Sequence, residues 1–164
     1  MTTVQPKREV ALMAHLLRRA GFGATPDELD RANEKGYGAV LEELLNPAGP
    51  DVLPDDLIQR YHVDQSDLRS QTGASTHWVY RMVKTDSPLR EKMCLFWHRV
   101  FATAATKTIQ ARVVYNQIEM FRQYGMGSFK ELLLQLSRDP AMLMWLDNQD
   151  NHKGSINENY GREI

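Results

Sequence analysis

Apolar residues recur along most of the chain at the three- and four-residue spacing of an α-helix, and no sustained alternation of apolar and polar residues is seen. At the start of the chain, for example, Val10, Met13 and Leu17 would share one helical face. The pattern predicts helices over about 10–19, 26–35, 37–45, 78–84 (capped within 73–76), 88–101, 112–124, 129–136 and 140–146, with a last helix starting at 157.

Residues typical of helix starts support this assignment. Thr25 and Glu28 have the spacing of a capping box, in which each side chain bonds the backbone N–H of the other residue, and Ser128 and Glu131 repeat that spacing. Asp139 is followed by a proline, another common helix start. We therefore expect an all-α fold, an irregular multi-helix bundle.

The helix that begins at Pro88 has the strongest pattern. Its apolar residues form a broad stripe with helical period, made of Leu89, Met93, Phe96, Trp97, Val100 and Phe101. The stripe predicts that its last four members are core residues. His98 falls roughly 140° from the centre of the stripe, which predicts a partly exposed histidine.

Composition is that of one ordinary soluble domain. The chain has 164 residues, 42% hydrophobic and 25% charged, and a net charge of -1. Cys94 is the single cysteine, so no intrachain disulfide is possible. Neither a secretory signal nor an apolar run long enough to span a membrane is present. We expect a single region over 1–164, with a Pro- and Asp-rich loop or linker at 46–56.

Two features of the central segment have an ordinary and a functional interpretation. Cys94 and His98 lie four residues apart on a face that also carries Glu91, and zinc accepts all three ligand types. No second ligand motif accompanies them, so a partly exposed His98 bonded to a neighbouring element is favoured, and no metal or cofactor is predicted. Segment 81–112 has seven basic and two acidic residues, a net charge of +5, but its aromatic residues lie on the core stripe. No nucleic-acid binding is predicted.

Polar side chains are dense between 147 and 163, directly after Trp145 and Leu146. The residues able to bond at fixed geometry include Asp147, Asn157, Glu158, Asn159, Arg162 and Glu163. The calcium-loop pattern is absent from this segment. Two interpretations stay open: a structural network of helix caps and surface pairs, or a functional site.

Four ordered motifs resemble the domain-of-unknown-function 1800 (DUF1800) family of large bacterial proteins. They are HLLRRAGFG (15–23), PLREKMCLFWH (88–98), DPAMLMWLD (139–147) and NENYGRE (157–163). The family often has a second histidine two positions after the one at 98, where this chain has Val100. The resemblance implies that the chain is the N-terminal portion of a longer helical domain, truncated at its C-terminus. It also implies a protein partner and an exported or envelope location, whereas the sequence alone indicates the cytoplasm.

Two functions follow as expectations. The first is a binding or assembly component that acts with a protein partner. The second is a hydrolase-type enzyme whose composite site combines His98, Asp147 and the segment 157–163 with residues beyond this chain. Catalytic candidates are therefore His98, Asp147, Glu158, Arg162 and Glu163, and ligand-binding candidates are Asn157 and Asn159. The sequence does not define a small-molecule ligand.

Overall fold

The structure is a computed structural model that describes residues 5–47, 49, 60, 66–108 and 110–164. The predicted loop or linker at 46–56 lies largely outside these residues. The described helices are α1 (Gln5–Ala20), α2 (Pro26–Lys35), α3 (Tyr37–Leu45), α4 (Gln71–Lys84), α5 (Pro88–Val100), α6 (Ala111–Tyr124), α7 (Phe129–Leu136), α8 (Pro140–Trp145) and α9 (Asn159–Glu163).

The all-α prediction is confirmed, because the described part of the chain contains helices and turns but no β-strand. One isolated bridge joins His152 and Ser155 within a tight turn. The capping box before α2 forms as predicted: Thr25 N donates to Glu28 Oε2 (2.7 Å), and Glu28 N donates to Thr25 Oγ1 (3.4 Å). The first of these bonds also contributes most to lowering the pKa of the Glu28 carboxyl.

One predicted helix start and one predicted capping box are wrong. Helix α4 begins at Gln71 and not near 78, because Ser70 provides the cap: its Oγ accepts a hydrogen bond from Gly73 N (2.9 Å). Ser128 does precede α7, but its side chain makes no capping bond. Glu131 accepts a hydrogen bond from Gln135 Nε2 (2.7 Å) on the exposed face of the same helix, so the second capping box does not form.

The chain divides into two compact units, and the division falls within α4 and α5. Unit 1 comprises Met1–Leu53 and Arg81–Lys92. Its core is formed by Met13, Leu16, Ala20, Ala32 and Val40. Helix α1 ends against the start of α5: a Cβ on Gly21 would lie 2.9 Å from Pro88 Cβ, and Lys92 Nζ donates to Gly21 O (3.0 Å). This close approach requires a residue without a side chain at position 21.

Unit 2 comprises Pro54–Tyr80 and Met93–Ile164. Helices α6, α7 and α8 supply most of its core, together with the C-terminal half of α5. The buried residues of that core are Cys94, Phe101, Ile118, Phe121, Leu132, Leu136, Met142 and Leu146. All of the candidate site residues named above lie in unit 2.

The predicted apolar face of α5 is wrong for two of its members. Phe96 and Val100 are each 51% exposed, whereas Cys94 is fully buried and Phe101 is 7% exposed. Successive helical residues are about 100° apart, so Phe96 points about 200° away from Cys94. The side of α5 that carries Cys94 packs into the unit 2 core, and His98, one turn later, lies on that same side.

Candidate functional site

Asp147 lies two residues after the end of α8 and is held by an ion pair. Its Oδ1 lies 2.7 Å from Lys107 Nζ, which also donates to the backbone oxygen of Trp145 (2.6 Å). Asp147 has φ 55, a left-handed conformation in which aspartate is tolerated better than most residues. Its carboxylate therefore serves to fix the end of α8, and both partners of the pair are about two-fifths exposed.

The asparagines of the C-terminal segment bond its own backbone. Asn151 Oδ1 accepts a hydrogen bond from Asn157 N (2.7 Å), and Asn157 Oδ1 accepts one from Asn159 N (2.9 Å). The second bond is the side-chain-to-backbone turn that asparagine commonly makes at helix starts. This geometry matches the structural interpretation of the polar segment, since it places the turn that leads into α9.

The charged residues at the start of α9 and within it are exposed. Glu158 and Arg162 form an exposed pair (Oε1 to Nη1, 3.1 Å), and Glu163 is also exposed. Tyr160 lies on the opposite side, where it packs against the unit 2 core and its hydroxyl pairs with Ser137 Oγ. Tyr160 thus packs α9 against the unit 2 core, and the sequence analysis did not single it out.

The described contact of the His98 ring is with an aromatic side chain. The ring packs edge-on against Trp78, with 5.5 Å between ring centroids and an interplanar angle of 80°. Burial lowers the pKa of His98 below its ordinary value, because the charged imidazolium loses hydration. Within the described chain, no hydrogen bond joins His98 to Asp147 or to residues 157–163. No described hydrogen bond therefore links the members of the predicted composite site, and their catalytic roles stay predictions.

His98 instead lines a cavity of about 240 Å³ inside unit 2. Trp78 and Tyr115 are the other aromatic residues that line it, and Ser75 and Thr103 also belong to its lining. The Thr103 hydroxyl donates to Gln117 Oε1 (2.7 Å). The cavity is built from residues that lie far apart in the sequence, so spacing alone gave no signal for it.

Behind the cavity, a buried polar chain continues from Thr103 toward α8. Gln117, which is fully buried, donates from Nε2 to Asp139 Oδ1 (2.7 Å). The same oxygen accepts a hydrogen bond from Met142 N (3.0 Å) and so caps α8, as predicted for Asp139. Burial raises the pKa of Asp139, and the bonds from Met142 and Gln117 oppose that rise.

On the surface of unit 2, three rings form what we call the aromatic surface cluster: Phe96, Trp97 and Phe129. Phe96 packs edge-on to Trp97 (4.9 Å between centroids), and Phe129 stacks on Trp97 (5.8 Å between centroids). The two phenylalanines are 51% and 55% exposed. Two contacts within unit 2 hold Trp97 in place. Its Nε1 donates to Gly125 O (2.7 Å), and its ring also stacks on the buried Phe101 (5.8 Å).

Comparison with known proteins identifies the family. The sequence pattern of the family described as "Protein of unknown function (DUF1800)" matches residues 15–164, which include all four motifs noted in the sequence. The chain belongs to the DUF1800 family. Neither the curated proteins nor the solved structures contain a match to it. The family assignment therefore establishes relationship without a biochemical activity.

Two further observations bear on the chemistry of this DUF1800 chain. Across the described ranges, no three His, Cys, Asp or Glu side chains are grouped so that they could hold a metal ion. No helix in those ranges is both long and apolar enough to cross a membrane. Cys94, considered above as a zinc ligand, is fully buried in the unit 2 core.

Proposed function

We propose that this DUF1800 chain is a binding component that docks another protein on the aromatic surface cluster. The observation that carries the proposal is the exposure of Phe96 and Phe129 on either side of Trp97. Aromatic side chains are enriched at the centres of protein interfaces, where they bury much apolar area at little cost in side-chain entropy. Two half-exposed phenylalanines in contact with one tryptophan have the composition of such a centre.

Preorganisation of the cluster supports the same function. Trp97 is the middle of a stack that begins at the buried Phe121 and Phe101 and ends at the exposed Phe129. Its indole N–H is also bonded to the Gly125 carbonyl. A surface that is already ordered loses little conformational entropy on binding, so more of the contact energy contributes to affinity.

The charged residues beside the cluster indicate the chemical character of the partner surface that would bind there. Arg99 lies one turn from Phe96, and Lys130 follows Phe129; both are exposed, and neither forms an ion pair with another described residue. Two copies of this chain paired through the cluster would bring like charges together. We therefore assign the surface to a different protein with an apolar centre and an acidic rim.

The hydrolase alternative requires that His98, Asp147 and α9 form one site. Asp147 is paired with Lys107, Glu158 is paired with Arg162, and His98 packs on Trp78. Each of these contacts accounts for its residue without a shared site. The geometry thus supports partner binding better than hydrolysis.

The proposal is tested by isolating the tagged full-length chain, at its natural abundance, from cells that produce it. Phe96→Glu and Phe129→Glu each place a carboxylate in the aromatic surface cluster, while Val79→Glu alters a residue of matched exposure (55%) on α4. A charge buried at the centre of an interface costs at least about 2 kcal/mol, or roughly thirtyfold in affinity.

We expect one co-isolated protein to be retained by the wild type and by Val79→Glu, and to be lost from both phenylalanine variants. Circular dichroism should be unchanged in all three variants, since each altered side chain is at least half exposed. Retention of the same proteins by all four chains would contradict the proposal, as would the absence of any specific partner from the wild type.

A further inference from the structure

The exposed side of α1 is basic. Arg8, His15 and Arg19 lie within about 40° of one another around the helix axis, and Arg18 lies about 60° from His15. All four side chains are exposed, and none of the three arginines forms an ion pair or a hydrogen bond with another described residue. Glu9, the one acidic residue of α1, lies about 80° or more away from all four. We call these four residues the basic face of α1.

Charge is segregated among the first three helices of unit 1. The opposite side of α1 carries Met13, Leu16 and Ala20, which belong to one core with Ala32 of α2 and Val40 of α3. The basic face therefore points away from α2 and α3. Those two helices carry six acidic residues and two basic ones. An anionic surface would attract the α1 side of this helix group and repel the side formed by α2 and α3.

Exposed apolar side chains accompany the basic face. Leu12, about 20° from Arg19 around the helix axis, is 49% exposed. Phe22 follows Arg19 by three residues and is 46% exposed, and Lys92 Nζ lies 5.2 Å from the centroid of its ring. Lys92 thus adds a fourth cation near the end of α1. Basic residues beside exposed leucine and phenylalanine are typical of a helix that lies in the interface of a membrane.

We infer that the basic face of α1, with Leu12 and Phe22, binds the surface of a membrane that contains anionic lipids. Each arginine pairs with a lipid phosphate, because a guanidinium group donates two parallel hydrogen bonds to such a group. Leu12 and Phe22 enter the boundary between headgroups and acyl chains. The phosphate backbone of a nucleic acid would pair with the arginines but would give Leu12 no apolar contact. The inference uses only unit 1, so it is independent of the proposed partner-binding function.

Co-sedimentation of the full 164-residue chain with lipid vesicles at low ionic strength tests the inference. One set of vesicles contains phosphatidylcholine alone, and the other contains equal parts of phosphatidylcholine and phosphatidylglycerol. An arginine near an anionic leaflet contributes about fivefold in affinity, so three arginines should favour the anionic vesicles by roughly a hundredfold. Arg19→Glu also adds a repulsion of similar size, so it should weaken binding to anionic vesicles about 25-fold. Arg31→Glu, the matched control, makes the same change in net charge at an exposed residue of α2 and should bind like the wild type.

A pair of labelled variants reports which side of unit 1 meets the lipid without altering an arginine. Ala11 lies between Arg18 and His15 on the exposed side of α1, and Ala39 is an exposed residue of α3. Ala11→Cys and Ala39→Cys each accept a polarity-sensitive dye selectively, since Cys94, the single native cysteine, is fully buried. Anionic vesicles should shift the dye emission to shorter wavelength at position 11 and leave it unchanged at position 39.

Four results would overturn the inference. They are anionic vesicles that bind no more tightly than neutral ones, equal weakening by Arg31→Glu and Arg19→Glu, an equal dye response at positions 11 and 39, and polyuridylate RNA that binds as tightly as the anionic vesicles. The comparison of the two lipid compositions requires no variant, so misfolding of a substituted chain would leave that test intact.

Discussion

Asp139 offers a sharp test of the buried polar chain, because its carboxylate performs two roles through one oxygen. Oδ1 accepts from Met142 N, which caps α8, and from Gln117 Nε2, which satisfies a fully buried amide. Asp139→Ala removes both bonds. Loss of a cap costs about 1 kcal/mol, and an unpaired buried amide costs about 1–3 kcal/mol more. We therefore expect unit 2 to lose about 2–4 kcal/mol of stability.

Asp139→Asn is the matched control, since an amide oxygen can accept both bonds. At neutral pH it should lose less stability than Asp139→Ala, because it keeps the bonds from Met142 and Gln117 while its amide nitrogen cannot accept the bond that the carboxylate takes from Ala141 N. Burial raises the pKa of Asp139, so the folded state favours the protonated carboxyl. The associated stabilisation is fully present below the ordinary value of 3.8 and is lost as pH rises through the folded-state pKa. The asparagine variant should lack this pH dependence.

The assay for both variants is urea unfolding followed by tryptophan fluorescence, since all three tryptophans lie in unit 2. With an ordinary slope of about 2 kcal/mol per molar urea, Asp139→Ala should lower the midpoint by about 1–2 M. A loss below about 1 kcal/mol would refute the reasoning. Equal destabilisation by alanine and asparagine would refute it too, because it would show that the two bonds to Oδ1 are not what stabilises this region.

Two further outcomes follow from the same packing. Burial lowers the pKa of His98, so the neutral ring stabilises the fold fully above its ordinary pKa of 6.5. This stabilisation declines as pH falls through the folded-state pKa. His98→Gln should remove the decline, as measured by urea midpoints between about pH 7 and 5. Gly125→Ala would place a Cβ 2.7 Å from Trp97 Cδ1 and should cost about 1–3 kcal/mol, whereas Gly127→Ala, whose nearest atom is 3.4 Å away, should be near neutral in the same unfolding assay.

Local signals in the sequence predicted helix identity well. The Thr25–Glu28 box and the Asp139 cap depend on residues three positions apart, and the structure contains both. Ser128 and Glu131 have the same spacing but do not form the box, since Glu131 bonds Gln135 along its own helix. Spacing permits a capping box, and competition from a neighbouring side chain decides whether it forms.

Which face of α5 is buried and which is exposed depends on packing against neighbouring helices, and periodicity alone does not determine it. The apolar stripe places Phe96 in the core, yet the unit 2 core takes the side with Cys94 and leaves Phe96 exposed. A helix that is apolar on more than one side has no unique orientation until its neighbours are known. The same is true of the His98 cavity, whose walls come from residues as distant as Trp78 and Tyr115.

The central claim, that the aromatic surface cluster docks another protein, is tested most directly by photo-crosslinking in cells that produce the full-length chain. A benzophenone side chain replaces Phe129 in one variant and Thr106, an exposed loop residue of unit 2, in the other. We expect one discrete adduct with a different protein from position 129 and none from position 106. No adduct from position 129, an adduct with a second copy of this chain alone, or identical adducts from both positions would contradict the claim.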